Sequence, residues 1–144
     1  MGDIAMEAEQ YIFRSKHPSV QVPEDLTLPD FVLAGAEQYA DKVALVEAAG
    51  DSGGKTRTYG EVARDTRRFA WALRSLGLRK GHVVVVALPN LSVYPVVALG
   101  IMAAGGVFSG VNPLATSAEI RKQVEDSEAK LIVADASAYQ KVNY

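Results

Sequence analysis

The sequence contains no cysteine. Disulfides, thiolate metal sites and a cysteine nucleophile are therefore excluded, and the absence accords with a reducing compartment. Histidine is nearly as scarce. His17 and His82 are the only two, they lie far apart, and neither belongs to a ligand-like cluster, so no metal site is expected. Charge of either sign is not in excess: the net charge is −2, and no bulk attraction to nucleic acid or anionic lipid follows from it. Met1–Gln10 lacks the basic segment and apolar core of a secretory signal. Gly2 is followed by Met6 where a myristoylation signal needs Ser or Thr. Ser109 does not sit in a Gly-x-Ser-x-Gly elbow, because Val107 and Val111 stand at the glycine places.

The most informative absence is local. Between His82 and Glu119, the 36 residues Val83–Ala118 carry no charged side chain, in a chain that is 22% charged. Val83–Leu88 reads as a buried strand, Pro89-Asn90-Leu91-Ser92 as a turn with Ser92 as a helix cap, and Val93–Ala104 as a buried helix. Gly105-Gly106 then reads as a stop, and Val107-Phe108 as the start of a second strand. Strands apolar on both faces belong mainly to parallel sheets with helices on each side, which predicts the α/β class. Val93–Val111 has the length of a spanning helix. Pro95, Gly100, Gly105, Gly106 and Gly110 interrupt it, however, and no basic or aromatic anchor flanks it, so a buried helix and no membrane span are expected.

Other elements follow from cap and turn signals. Thr27-Leu28-Pro29-Asp30 opens a first helix, and capping boxes at Thr58–Glu61 and Thr116–Glu119 open two more. Val62, Thr66, Phe69, Leu73 and Leu76 form one stripe on the second helix, which Gly77 terminates with Leu78 folding back. Val43–Val46 and Lys55–Tyr59 read as short strands around a hairpin turn at Asp51–Gly54. Lys130–Asp135 reads as a further buried strand. Ser137 then reads as the cap of a short fifth helix with Tyr139 and Val142 on its inner face. Strands near 83, 107 and 131 thus alternate with helices. Ligands in such sheets sit beyond the strands' carboxyl ends, here Pro89-Asn90, Gly110–Pro113 and Asp135.

Three patterns suggest chemistry, and each has a plainer reading. Gly50–Thr56 resembles a phosphate loop. The spacing needs Gly where Ala49 stands, and the following Thr56–Tyr59 reads as extended rather than helical, so a hairpin turn is preferred. Seven basic residues, Arg57, Arg64, Arg67, Arg68, Arg74, Arg79 and Lys80, fall within 24 positions. Nucleic-acid binding would use such a cluster, but these positions lie opposite the apolar stripe, and a solvated face is the expectation. Asp126, Glu128 and Asp135 are isolated carboxylates near loops. No catalytic, cofactor-binding or metal-binding residue is assigned.

The ordered pieces of the chain resemble the N-terminal region of the adenylate-forming acyl-CoA synthetases, most closely plant 4-coumarate–CoA ligases and their relatives. The pieces are Tyr11–Lys16, Thr56–Val62, Leu78–Gly81, Val86–Asn90, Ala103–Val107, Asn112-Pro113 and Ala129–Ile132. The resemblance implies a partial N-terminal domain of that fold: mainly parallel strands alternating with helices, incomplete. The residues themselves read 1–22 as a loose arm, part of which docks elsewhere through the apolar Tyr11-Ile12-Phe13; the resemblance makes residues 23–144 the first part of the AMP-binding large domain, ending before the phosphate loop. In full-length form the family joins ATP and a carboxylic acid into an acyl-adenylate, then transfers the acyl group to coenzyme A, with Mg. The Ser/Thr/Gly-rich loop, the acid pocket and the C-terminal lysine are not in this sequence, so no cofactor is expected on this chain and it is expected to be inactive alone. The other reading is a non-catalytic module that binds a full-length relative or another partner. Self-association through an exposed core and a cytoplasmic location are expected; some relatives are peroxisomal, but Val142-Asn143-Tyr144 is not the tripeptide that directs proteins there.

Overall fold

The computed structural model describes residues 15–48 and 54–142. The apolar Tyr11-Ile12-Phe13 and the turn residues Asp51-Ser52-Gly53 lie outside them. In chain order the elements are α1 (Leu28–Leu33), a 3-10 turn (Ala36–Tyr39), β1 (Val43–Val46), β2 (Thr56–Thr58), α2 (Tyr59–Ser75) and β3 (Val83–Ala87). They continue with α3 (Tyr94–Ala103), β4 (Val107–Gly110), α4 (Ser117–Asp126), β5 (Leu131–Ala134) and α5 (Ala136–Val142). β1 and β2 pair antiparallel; β3, β4 and β5 form a parallel sheet in the order β4-β3-β5. The α/β expectation holds.

β3 is where the uncharged run matters most. Hydrogen-bonded on both edges, it carries Val84, Val85, Val86 and Ala87 at 0% exposure. Its side chains alternate between two covered faces. Val84 and Val86 pack with Leu73, Val97 and Ile101 from α2 and α3, and Phe108, Leu131 and Val133 extend that face. On the other face the register sets Ser109 and Ile132 beside Val85. Gln123 of α4 donates there to Ser109 Oγ and to Gly110 O, both at 3.0 Å, and Ile120 of α4 is fully buried. The chain steps from β3 to β4 on one side and then back past β3 to β5. Right-handed crossovers in opposite directions require their helices on opposite faces, and α3 and α4 lie so.

The cap signals are realised where both partners are local. Thr27 Oγ1 accepts from Asp30 N at 3.3 Å. Both capping boxes close, Thr58 N to Glu61 Oε2 at 2.9 Å and Thr116 N to Glu119 Oε2 at 2.7 Å, with the reciprocal bonds present. Gly77 adopts φ +91°, and Leu78 N returns to Leu73 O at 3.0 Å, the fold-back read from sequence. Gly100 serves close approach instead: a Cβ there would lie 2.7 Å from Phe69 Cδ1, so α2 and α3 meet at a spacing only glycine permits.

Four readings are corrected. Ser92 does not cap α3; the helix begins at Tyr94, no side chain caps it, and Pro95 in its first turn has no N–H to satisfy. Leu76 is not on the buried stripe. It is the residue at which α2 ends and is 72% exposed, while Ala63 and Ala70 complete the buried face. Asp135 rather than Ser137 holds the start of α5, accepting from Ala138 N at 2.7 Å and from Ser137 Oγ at 2.9 Å. Tyr139 is exposed, and Ala138 is the residue α5 buries.

Val85→Asp should abolish cooperative folding or lower stability by about 3–5 kcal/mol, because no partner awaits a carboxylate in that layer. Urea unfolding followed by far-UV circular dichroism measures it; an unchanged midpoint would contradict the burial of β3.

Candidate functional site

Parallel strands place their carboxyl ends together, so the loops after Ala87, Gly110 and Ala134 share one end of the sheet. The loop after β3 leads to α3 on one face; the loop after β4 leads to α4 on the other. Such a divergence opens a crevice in which α/β sheets bind ligands. The three strand ends singled out from sequence are thus brought together.

Their polar groups are largely engaged in holding loops. Asn112 Oδ1 accepts from Leu114 N at 2.9 Å. Lys141 Nζ donates to Pro113 O at 3.0 Å and to Ala115 O at 3.1 Å, tying α5 to the β4–α4 loop. Asp135 is occupied at the start of α5, and the Ala138 amide, followed by the Ser137 hydroxyl, holds its carboxyl below the ordinary range. Asp126 pairs with Lys122 at 2.8 Å. Glu128 occupies a left-handed turn position with φ 50°.

A longer-range network holds the β3–α3 loop. Glu47, just past β1, accepts from Ser92 Oγ at 2.7 Å and from Ser92 N at 2.8 Å. Arg57 of β2 donates from Nε to Ser92 Oγ at 3.2 Å and from a terminal nitrogen to Asp65 Oδ2 at 2.9 Å. Arg64 Nε reaches Asp65 Oδ1 at 2.9 Å. The hairpin, the β3–α3 loop and α2 are thereby joined. Arg57 is consequently no part of a solvated basic face, as the sequence reading had it; Arg64, Arg67, Arg68, Arg74, Arg79 and Lys80 are exposed. Beside the network an open depression of about 360 Å³ lies between the hairpin and the loop, bordered by Leu45, Glu47, Asn90, Ser92 and Tyr94.

Ser92 and Glu47 have the spacing of a nucleophile and its base, yet the chemistry is wrong for it. Ser92 is only 6% exposed. The Ser92 hydroxyl and then its amide lower the Glu47 carboxyl from its ordinary value, which weakens it as a base. The pair is a brace. Ser109, the other buried-edge serine considered from sequence, accepts from Gln123. His82 Nδ1 accepts from Arg79 N at 3.3 Å within a turn, and His17 lies in the N-terminal segment, where its N–H donates to Ser15 Oγ. Among the described residues no group of three or more His, Cys, Asp or Glu could hold a metal ion, and no helix is long and apolar enough to cross a membrane. Thr56-Arg57-Thr58 is extended, so no helix follows Gly54-Lys55 as a phosphate loop would require.

The Glu47–Ser92 brace was missed from sequence because its partners are 45 positions apart and neither sits in a periodic pattern. Arg57 carried a faint signal: in a three-residue strand it points opposite to Thr56 and Thr58.

Comparison with known proteins gives consistent matches. The family model of the AMP-binding enzymes matches residues 33–143. The chain is 66% identical over 99% of its length to 4-coumarate–CoA ligase-like 9 of Oryza sativa subsp. japonica, covering 26% of that protein. It is 60% identical over 94% of its length to 4-coumarate–CoA ligase-like 1 of Arabidopsis thaliana, covering 24%. Among solved structures, a benzoate CoA ligase from Burkholderia xenovorans superposes with TM-score 0.73 at 30% identity, over 82% of this chain and 23% of that one. A long-chain-fatty-acid-CoA ligase from Archaeoglobus fulgidus gives 0.79 at 25% identity, over 91% and 27%. The chain spans about a quarter of the length of the curated relatives it matches.

Ser92→Ala removes one of the two bonds to Glu47 and the acceptor of Arg57 Nε. At neutral pH it should lower the melting temperature by roughly 2–6 °C. Glu47 and Asp65 both titrate below their ordinary values. Their stabilisation is therefore present above about pH 4–4.5 and lost as pH falls through their folded values. The gap between wild type and Ser92→Ala should accordingly narrow at about pH 3. A pH-independent gap would show that Glu47 is not the operative partner.

Proposed function

The chain belongs to the AMP-binding enzyme family, and from that premise we propose that residues 23–144 supply the first part of the adenylation domain of a carboxylic acid–CoA ligase of the 4-coumarate kind, with residues 1–22 as an arm ahead of it. The observation that carries this reading is 66% identity to a 4-coumarate–CoA ligase-like protein across 99% of the chain, joined to a fold superposing on two acyl-CoA ligases. The reaction would condense ATP with an acid in the presence of Mg, release pyrophosphate, and pass the acyl group to coenzyme A. An aromatic or other plant-derived acid is the substrate class that the names of the relatives suggest. The cytoplasm is the proposed compartment.

In this reading the present residues are scaffold. β3 and its crossovers fix the end of a sheet, and the Glu47–Ser92–Arg57–Asp65 brace holds the β3–α3 loop beside the crevice. Charge neutralisation on the departing pyrophosphate requires preorganised donors and cations aimed at it. The polar groups at this end of the sheet are directed instead at their own loops, so the chain alone should not catalyse the reaction. Its two outer strands each have a single strand partner among the described residues, and β5 is only half-buried throughout. Such edges favour self-association of the isolated chain.

Incubation of the purified chain with ATP, Mg, coenzyme A and a panel of cinnamic, benzoic and fatty acids should give no pyrophosphate above a buffer control. A longer polypeptide that continues through the rest of the relatives' length should release it with at least one acid. Light scattering on the same samples should show mass rising with concentration. Turnover by the chain alone, or none by the longer polypeptide with any acid, would overturn the assignment.

A further inference from the structure

The outer face of α2 is left uncovered by the fold. At about 100° per residue, Trp71 lies at its centre, with Arg64, Arg67, Arg68 and Arg74 within about 60° on either side. Trp71 is the only tryptophan in the sequence and is 72% exposed. Leu76, equally exposed, follows at the helix end, and Arg79 and Lys80 extend the basic strip into the next turn. Both acidic side chains of α2 are engaged, Glu61 in the capping box and Asp65 with Arg57 and Arg64. No ion pair among the described residues holds Arg67, Arg68, Arg74, Arg79 or Lys80. Asp30 and Glu37 border a depression together with Arg67. The positive field is therefore strongest from Arg68 to Lys80.

Exposed arginines alone describe an ordinary solvated helix face, and those near the ends of α2 and α3 also oppose the negative ends of the helix dipoles. The exposed indole at the centre of the strip is what that description leaves unexplained. An amphipathic ring flanked by long cationic stems suits the boundary between headgroups and acyl chains, where tryptophan settles and arginine keeps its charge in contact with anions. Depressions border the strip at Arg68 and at Arg74, Arg79 and Lys80, but the exposed Trp71 stands on the convex surface of the helix, which fits a planar partner better than an extended acidic peptide. We propose that this face of α2 docks on an anionic lipid surface, with Trp71 entering the headgroup layer and Arg68, Arg74, Arg79 and Lys80 facing lipid anions. The net charge of −2 does not oppose this, because the cations are gathered on this face and exposed charges are screened over about 8 Å at physiological salt. The proposal is independent of the ligase reading.

Because Trp71 is the sole tryptophan, its fluorescence reports the contact directly. The chain is titrated with vesicles of phosphatidylcholine containing about 30% phosphatidylserine, and with pure phosphatidylcholine vesicles, at low salt. The expected result is a blue shift with the anionic vesicles only, reversed by about 0.5 M salt. Each cation near such a surface is worth about fivefold in partitioning. Arg68→Gln with Arg74→Gln should therefore weaken binding at least tenfold while leaving the circular dichroism melt unchanged, and Arg68→Lys with Arg74→Lys should restore it. If the glutamine pair misfolds, the lysine pair and the salt titration still decide. The proposal is overturned by no shift with anionic vesicles, by an equal shift with neutral ones, by binding that survives loss of both arginines, or by polyglutamate or single-stranded DNA binding the face when vesicles do not.

Discussion

Four consecutive residues of β3, Val84 to Ala87, touch no water, and the remaining architecture follows from what is needed to keep them dry. A strand apolar on both faces requires two helical layers and two hydrogen-bonded neighbours. The neighbours are β4 and β5, one reached by way of α3 and the other by way of α4. The fixed hand of these crossovers sends the two helices to opposite faces. Each burial closes with a specific contact: Gly100 lets α3 lie against Phe69 and Thr66 of α2, and Gln123 pins α4 to the end of β4.

Covering β3 in this way also creates the crevice. The β3–α3 loop and the β4–α4 loop leave the same end of the sheet toward different faces, and the space between them is what remains. The Glu47–Ser92–Arg57–Asp65 network ties the β3–α3 loop to the hairpin and to α2. The network links elements 45 positions apart, so the small antiparallel hairpin outside the sheet has a mechanical role at the sheet's mouth.

How much of this was legible depended on the range of the forces involved. The uncharged run announced β3 and α3 because burial of charge is costly enough to keep it out of their interior positions; beyond β4 the run is uncharged without being buried, with Leu114 84% exposed. Thr58–Glu61 and Thr116–Glu119 announced their helices because a capping box needs only residues three apart. Leu76 misled because helical spacing alone cannot tell whether the last turn has ended, and Gly77 in fact ends it there. Ser92 and Ser137 misled for a related reason: each stands where a cap is plausible, but Ser92 is drawn to Glu47 and Asp135 reaches the Ala138 amide first. The brace itself could not be read, since nothing local distinguishes a glutamate that will meet a serine across the fold from one that will meet water. The candidate site was therefore legible as a place, the carboxyl ends of three strands, and not as a set of contacts.

If β3 is the element on which the fold depends, its amides can exchange only when the whole domain unfolds. Native-state hydrogen exchange resolved by residue measures this. The account predicts that Val84, Val85 and Val86 exchange slowest, with a free energy equal to that of global unfolding, while α5 and the β1–β2 hairpin open at lower cost. Exchange of these valines through a smaller, local opening, or protection of α5 equal to theirs, would contradict it.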